Sequence, residues 1–170
     1  MSGLPSSPVV IDDVCTPALL VAAAREILEL RKMKPESARG ANRGGWKSEY
    51  EIFDRSGDLA RVGAAVRAQL RLRWNITQRP VCWAMINRAG SSHPRHCHGS
   101  FGLSCVLYVL PGDPPTPTIV ECDDGSELAI APIPGRMLVM PTRLWHRVPV
   151  YTGESPRITI AFDAREGIRP

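Results

Sequence analysis

The chain has 170 residues, of which 44% are apolar and 22% charged, and a formal net charge of +4. That is enough apolar sequence, spread widely enough, to bury a core, which argues against a disordered polymer. The longest apolar run, residues 18–24, is far short of the roughly 20 residues a membrane-spanning helix needs.

Eighteen of the 21 basic residues are Arg, and Arg61, Arg67, Arg71 and Arg73 cluster. They form no basic stripe with interleaved aromatic platforms, so the expectation is no nucleic-acid partner and no membrane partner. The start, MSGLPSS, has neither a basic region nor an apolar one of signal-peptide type. The five cysteines, Cys15, Cys82, Cys97, Cys105 and Cys122, are odd in number and show no paired spacing. They are expected to be reduced, mostly packed thiols in a cytoplasmic protein. The length suits a single domain over 1–170. Oligomeric state stays open, a homodimer included.

Residues 1–75 are expected to be mainly helical. Thr16-Pro17 is a helix start, with an N-cap followed by proline at the first helical position. A first helix is predicted over 18–34, ended by Pro35. The stretch RGANRGGW, 39–46, is a glycine-rich loop. A second helix runs from about residue 57 or 58 to 73, with Leu59, Val62, Val66 and Leu70 as its apolar stripe.

After Pro80 the period changes to two. Strands are predicted over 81–87, 100–110, 118–122, 127–133, 136–140, 146–151 and 157–163. The turn clusters PGDPP, DDGS, PIPG and TGESP separate them. Strands this short and this regularly spaced suggest a sandwich or barrel.

The chain has only four histidines, His93, His96, His98 and His146. On a strand, His96 and His98 at i and i+2 face the same side and can share a metal. His146, after the strand-like run GRMLVMP, can supply a third ligand from a later strand. Neutral imidazoles bind Fe, Zn, Cu or Ni, so spacing alone does not name the metal. His93, followed by proline, is expected in a loop, outside the coordination shell and at most facing substrate. In RITIAFD, residues 157–163, Ile158, Ile160 and Phe162 face one side; Arg157, Thr159, Ala161 and Asp163 face the other. An inward guanidinium requires an anion, and a planar fork beside a hydroxyl suits a small carboxylate.

Three stretches resemble the family of short bacterial 2-oxoglutarate–iron(II) oxygenases. The first is RGGWKS at 43–48. The second is WAMINRAG at 83–90, with His96-Cys97-His98 and LSCVLY at 103–108. The third is PTRLWH at 141–146, leading to PRITIAF at 156–162. The resemblance implies a mainly β chain with N-terminal helices. Its core, 79–163, would be a double-stranded β-helix of jelly-roll or cupin-like form, with 1–75 as a helical buttress. It implies Fe(II) as metal, 2-oxoglutarate as cosubstrate, and O2 and a small molecule or side chain as reactants. The reaction would be an oxidation such as hydroxylation, with decarboxylation of 2-oxoglutarate to succinate. His96 and His146 would be iron ligands and His98 the third. Arg157 would hold the far carboxylate of 2-oxoglutarate, supported by Thr159, with Tyr108 and Asn87 as further contacts. His93, Trp83, Phe101 and Trp145 would wall a substrate pocket.

The wider superfamily places a carboxylate where His98 stands. Asp123 or Asp124 could fold in as an anionic ligand, although DDGS is a hairpin-turn sequence. Two other readings share the fold. One is a cupin-type three-histidine oxygenase that chelates its substrate directly, supported by Gly90 with His96 and His98, and by Gly135 with Pro141 and His146. The other is a metal- or ligand-binding module without catalysis. Arg157 and Thr159 separate the first reading from the cupin reading, because a cupin does not need them.

Overall fold

The computed structural model describes residues 3–38, 40–55, 57–100 and 102–165. Helix α1 spans Pro17–Met33, and the Thr16 hydroxyl accepts the Leu19 amide at its start. It buries Leu20, Ala23, Ala24, Ile27 and Leu30. Helix α2 spans Asp58–Trp74 and follows Gly57, which has no side chain to cap it. The Glu26 carboxylate of α1 does that work, accepting the Asp58 and Leu59 amides at 3.1 and 3.0 Å. The placement also sets a negative charge at the positive end of α2.

Ten strands precede, interleave with or follow the helices. They are β1 (Val9–Ile11), β2 (Trp46–Lys47), β3 (Val81–Asn87), β4 (His93–His96), β5 (Leu103–Leu110), β6 (Thr118–Glu121), β7 (Glu127–Ile130), β8 (Met137–Pro141), β9 (His146–Val148) and β10 (Arg157–Ala164). They form a six-stranded sheet, β1-β8-β5-β10-β3-β2, and a four-stranded sheet, β4-β9-β6-β7. Every pairing is antiparallel.

Alternation splits the large sheet into two faces. Cys82, Ala84, Ile86, Leu103, Cys105, Leu107, Ile158, Ile160 and Phe162 pack in one cluster with both helices. On the opposite face, Val106, Tyr108, Leu138 and Met140 pack against Val120 and Leu144. The face looking away from the helices thus meets the small sheet, and the space between the two sheets holds the site.

Three strands, β1, β2 and β4, have no counterpart in the sequence expectation, and others differ from it in their bounds. β1 pairs with β8 and forms one edge of the large sheet. β2 takes the last residue of the expected glycine loop, Trp46, together with Lys47, and pairs with β3. Gly45 explains that close approach: a Cβ there would stand 2.9 Å from the Ile86 carbonyl oxygen. β4 contains His93, which is therefore a strand residue opposite Val148 and not a loop residue. β5 begins at Leu103, later than expected. Gly102 before it has φ +107, and a Cβ there would be 2.6 Å from the Ala164 oxygen. β9 ends at Val148 because Tyr151 turns to exchange hydrogen bonds with Ser91 and Gly90. Arg39 of the expected loop lies outside the described residues.

Candidate metal and anion site

The pairing of β4 with β9 sets His96 directly opposite His146. Their ring centroids are 4.3 Å apart. His98, two residues past His96, is held by its own amide, which donates to the Thr142 carbonyl at 2.9 Å. Its ring lies 5.3 Å from each of the other two. One nitrogen from each of the three gathers within 4.8 Å of the others.

The second nitrogen of each ring is already engaged. His96 Nδ1 meets the Pro94 carbonyl at 2.7 Å, and His146 Nδ1 meets the Leu144 carbonyl at 3.2 Å. His98 Nδ1 meets both oxygens of Asp163, at 2.7 and 2.8 Å. An Nδ1–H held by an oxygen leaves Nε2 with its lone pair free, the form a metal ligand takes. The donor set therefore fits a transition metal that accepts imidazole. Asp123 and Asp124, considered as anionic ligands, are elsewhere: Asp123 pairs with Arg143, and Asp124 accepts from Ser126 in its own turn.

The three histidines open on a cavity of about 390 Å³ between the sheets. Arg157 lies in its wall, 1% exposed. Its guanidinium donates to the Thr116 carbonyl at 3.2 Å and to Thr118 Oγ1 at 3.4 Å. Among the described residues no carboxylate pairs with it, and burial pushes its pKa down. The groups beside it are also under-used. Asn87 stands opposite Arg157 in the β3–β10 ladder. Both polar atoms of its amide and the Thr159 hydroxyl are buried without a hydrogen-bond partner. Unpaired buried donors clustered around a lone cation are costly, and an oxygen-rich anion would satisfy them together. Tyr108 is fully buried, its hydroxyl donates to Thr118 Oγ1 at 2.8 Å, and its ring lies 5.7 Å from the guanidinium.

His93 lines the same cavity, 6.0 Å from the His96 ring, and is buried. Burial, reinforced by the repulsion of neighbouring His96 and Arg157, lowers its pKa to about 3. The same causes, burial first and then His96, lower His146 to about 4. In the unfolded chain both would titrate near 6.5. Below that pH the unfolded chain takes up protons that the folded protein refuses. The metal-free protein should therefore hold full stability above pH 6.5 and lose it as pH falls toward 4. The slope is about 1.4 kcal/mol per pH unit for each histidine. Urea melts at pH 7.5 and pH 5 measure this, and equal midpoints would contradict it.

Trp83 also lines the cavity, its ring stacked on His98 at 5.9 Å and 18°. Trp145 does not line it; it is 41% exposed and lies under the Arg95 guanidinium at 4.0 Å. Phe101 lies outside the described residues. Lys47 and Asp163 also line the cavity, and nothing in the sequence assigns either a role. Lys47 is buried in the cavity wall, its ammonium 4.4 Å from the Tyr50 ring and 4.7 Å from the Trp83 ring. It falls within RGGWKS, the motif that carried the resemblance. Asp163 was visible on the same strand face as Arg157, but nothing local tied it to His98.

Residues 114–163 match the sequence model of a family described as "Putative 2OG-Fe(II) oxygenase". That stretch carries the 2OG-Fe(II) oxygenase pattern. It contains His146, Arg157, Thr159 and Asp163, whereas His96 and His98 precede it. A search of curated proteins gives no match.

Among solved structures, a prolyl-4-hydroxylase from Pseudomonas putida has a TM-score of 0.75 at 18% identity, over 95% of this chain and 94% of that one. A prolyl hydroxylase from Trichoplax adhaerens, in complex with a hypoxia inducible factor peptide fragment, has a TM-score of 0.75 at 16% identity, over 94% and 84%. HygX from Streptomyces hygroscopicus, with nickel and 2-oxoglutarate bound, has a TM-score of 0.71 at 13% identity, over 96% and 84%. These likenesses establish the fold, a double-stranded β-helix, as the resemblance implied. No helix among the described residues is long and apolar enough to cross a membrane.

Proposed function

We propose that this chain is an Fe(II)- and 2-oxoglutarate-dependent dioxygenase that oxidises, by hydroxylation, a small molecule or a side chain. The observation that carries the reading is Arg157: a buried cation with no anionic partner among the described residues, in the same cavity as three convergent histidines. The family match over 114–163 supports it independently.

When bound, iron would let O2 act as the oxidant, taking two electrons from 2-oxoglutarate, which would leave as succinate and CO2, and two from a substrate C–H bond, which would become C–OH. The protein's part is to hold, orient and shield. His96, His98 and His146 hold the metal through Nε2, each ring fixed by the oxygen on its Nδ1. Arg157 binds the far carboxylate of 2-oxoglutarate as a two-pronged donor. The Thr159 hydroxyl and the Asn87 amide, which lack partners, complete its hydrogen bonds. The Tyr108–Thr118 hydrogen bond braces the wall behind the guanidinium. Trp83, Met85 and Ala161 form an apolar patch that keeps water from the substrate side. His93, neutral at any physiological pH, faces the cavity without adding charge.

The test is an anaerobic titration with Fe(II), with and without 2-oxoglutarate, followed in the visible. A charge-transfer band that needs both is the expected result. Iron binding with no response to 2-oxoglutarate would favour the cupin-type reading, in which the substrate itself chelates the metal. No O2-dependent turnover of any candidate would leave a binding module.

A further inference from the structure

Asp163 is the feature that the proposed function leaves unused. Two of the three imidazoles rest their Nδ1 on neutral backbone carbonyls, those of Pro94 and Leu144. The third, His98, rests on a carboxylate, reached from both oxygens at 2.7 and 2.8 Å. The Ser104 hydroxyl approaches the same nitrogen at 3.4 Å, and the Trp83 ring covers one face of the imidazole. His98 is therefore fixed at its edge and on its face.

The charge of the donor set gives this arrangement its significance. Three neutral imidazoles offer no negative charge to a divalent cation, whereas sites with two histidines and a carboxylate offer one. Here the carboxylate is present one bond further out. β10 delivers it: Arg157, Thr159, Ala161 and Asp163 share the strand face that lines the cavity. The register of β10 with β5 sets Asp163 opposite Ser104, next to His98. A single strand thus carries the cation for one end of the cavity and the carboxylate for the other.

We infer that Asp163 is a positioning residue for the metal: by accepting the His98 Nδ1–H it aims Nε2 at the cation and supplies, through the ring, the negative charge that a carboxylate ligand would give. Partners of this kind orient the ligand and raise its basicity, and losing one typically weakens metal binding 10–100-fold. The inference rests on reading the three histidines as a metal centre.

The test uses the full chain and measures Fe(II) and Co(II) affinity anaerobically, by competition with a chromophoric chelator, in wild type, Asp163→Ala and Asp163→Asn. Asp163→Ala should bind about 10–100-fold more weakly. Asp163→Asn should fall between it and wild type, because its amide oxygen still accepts the Nδ1–H but carries no charge. One-bond 1H–15N spectra of the imidazole N–H groups in the Zn(II)-loaded protein give a readout that a purely structural role would not move. The His98 Nδ1–H resonance should lie downfield in wild type and lose that shift in Asp163→Ala. Melting of the metal-free variants identifies a folding defect, and Asp163→Asn keeps the test alive if Asp163→Ala does not fold. Wild type that binds metal, with variants within about twofold of it, overturns the role of Asp163 alone. So does a downfield resonance that survives the alanine substitution. Wild type that binds neither metal overturns the metal centre, and this role with it.

Discussion

Replacing Arg157 with methionine should lower the affinity for 2-oxoglutarate about a hundredfold while leaving Fe(II) affinity within about twofold. Breaking a buried charge pair by truncating one partner costs on the order of 2–5 kcal/mol, because the other charge is left buried without compensation. Arg157 is 1% exposed, and its hydrogen bonds run to one carbonyl and one hydroxyl. A carboxylate bound there without the guanidinium would meet the hydroxyls of Thr118 and Thr159 and no counter-charge. The three histidines proposed to hold the metal lie on β4, on β9 and in the segment after β4, whereas Arg157 opens β10, so the substitution should spare metal binding. The same change should not lower the melting temperature of the ligand-free protein. A desolvated guanidinium without an anion returns less than it costs, and methionine fills comparable space with apolar atoms. Calorimetric titration of 2-oxoglutarate into the Mn(II)- or Fe(II)-loaded variant checks the first part, and thermal melts check the second. Unchanged 2-oxoglutarate affinity would remove the cosubstrate assignment and return the site to the cupin-type reading.

Replacing His98 with alanine should abolish tight iron binding, with a loss beyond the hundredfold upper range for removing an outer partner. The prediction discriminates because His98 stands where a carboxylate is usual. If the site were held by His96 and His146 with an acid from elsewhere, His98→Ala would be mild. The two acids available from the β6–β7 turn are committed elsewhere, to Arg143 and to Ser126. Asp163 remains, and its oxygens are engaged by His98 itself. Chelator competition with Fe(II) under anaerobic conditions measures the loss, and normal affinity would show that His98 is not a ligand.

Much of the fold was legible because its signals are local. The 81–87 strand was expected over the very residues that form β3, and α1 and α2 fall within a residue of expectation, because helix caps and period-two alternation act over a few neighbouring positions. The missed strands have no such signal. β2 is two residues long and exists only because Gly45 lets the backbone reach β3. β4 reads HPRH, with a proline and three polar or charged neighbours, and pairs because β9 lies alongside it. His93 was misplaced in a loop for that reason. Trp145 was expected at the cavity, but with Pro141 to Leu144 turning before β9, its ring lies outward under Arg95.

The histidine pair spaced two apart, the later third histidine, and the strand that puts Arg157 and Thr159 on one face are legible in the chain alone. Each follows from periodicity along a single element, which needs no knowledge of what lies opposite. Tertiary structure decided the rest: that His96 meets His146 across a strand pair, and that Arg157 finds no carboxylate among the described residues. It also decided that Asp163 reaches across 65 positions of sequence to hold His98. Those are outcomes of strand register and sheet stacking, set by the burial of the whole apolar pattern at once, so no short stretch of chain contains them.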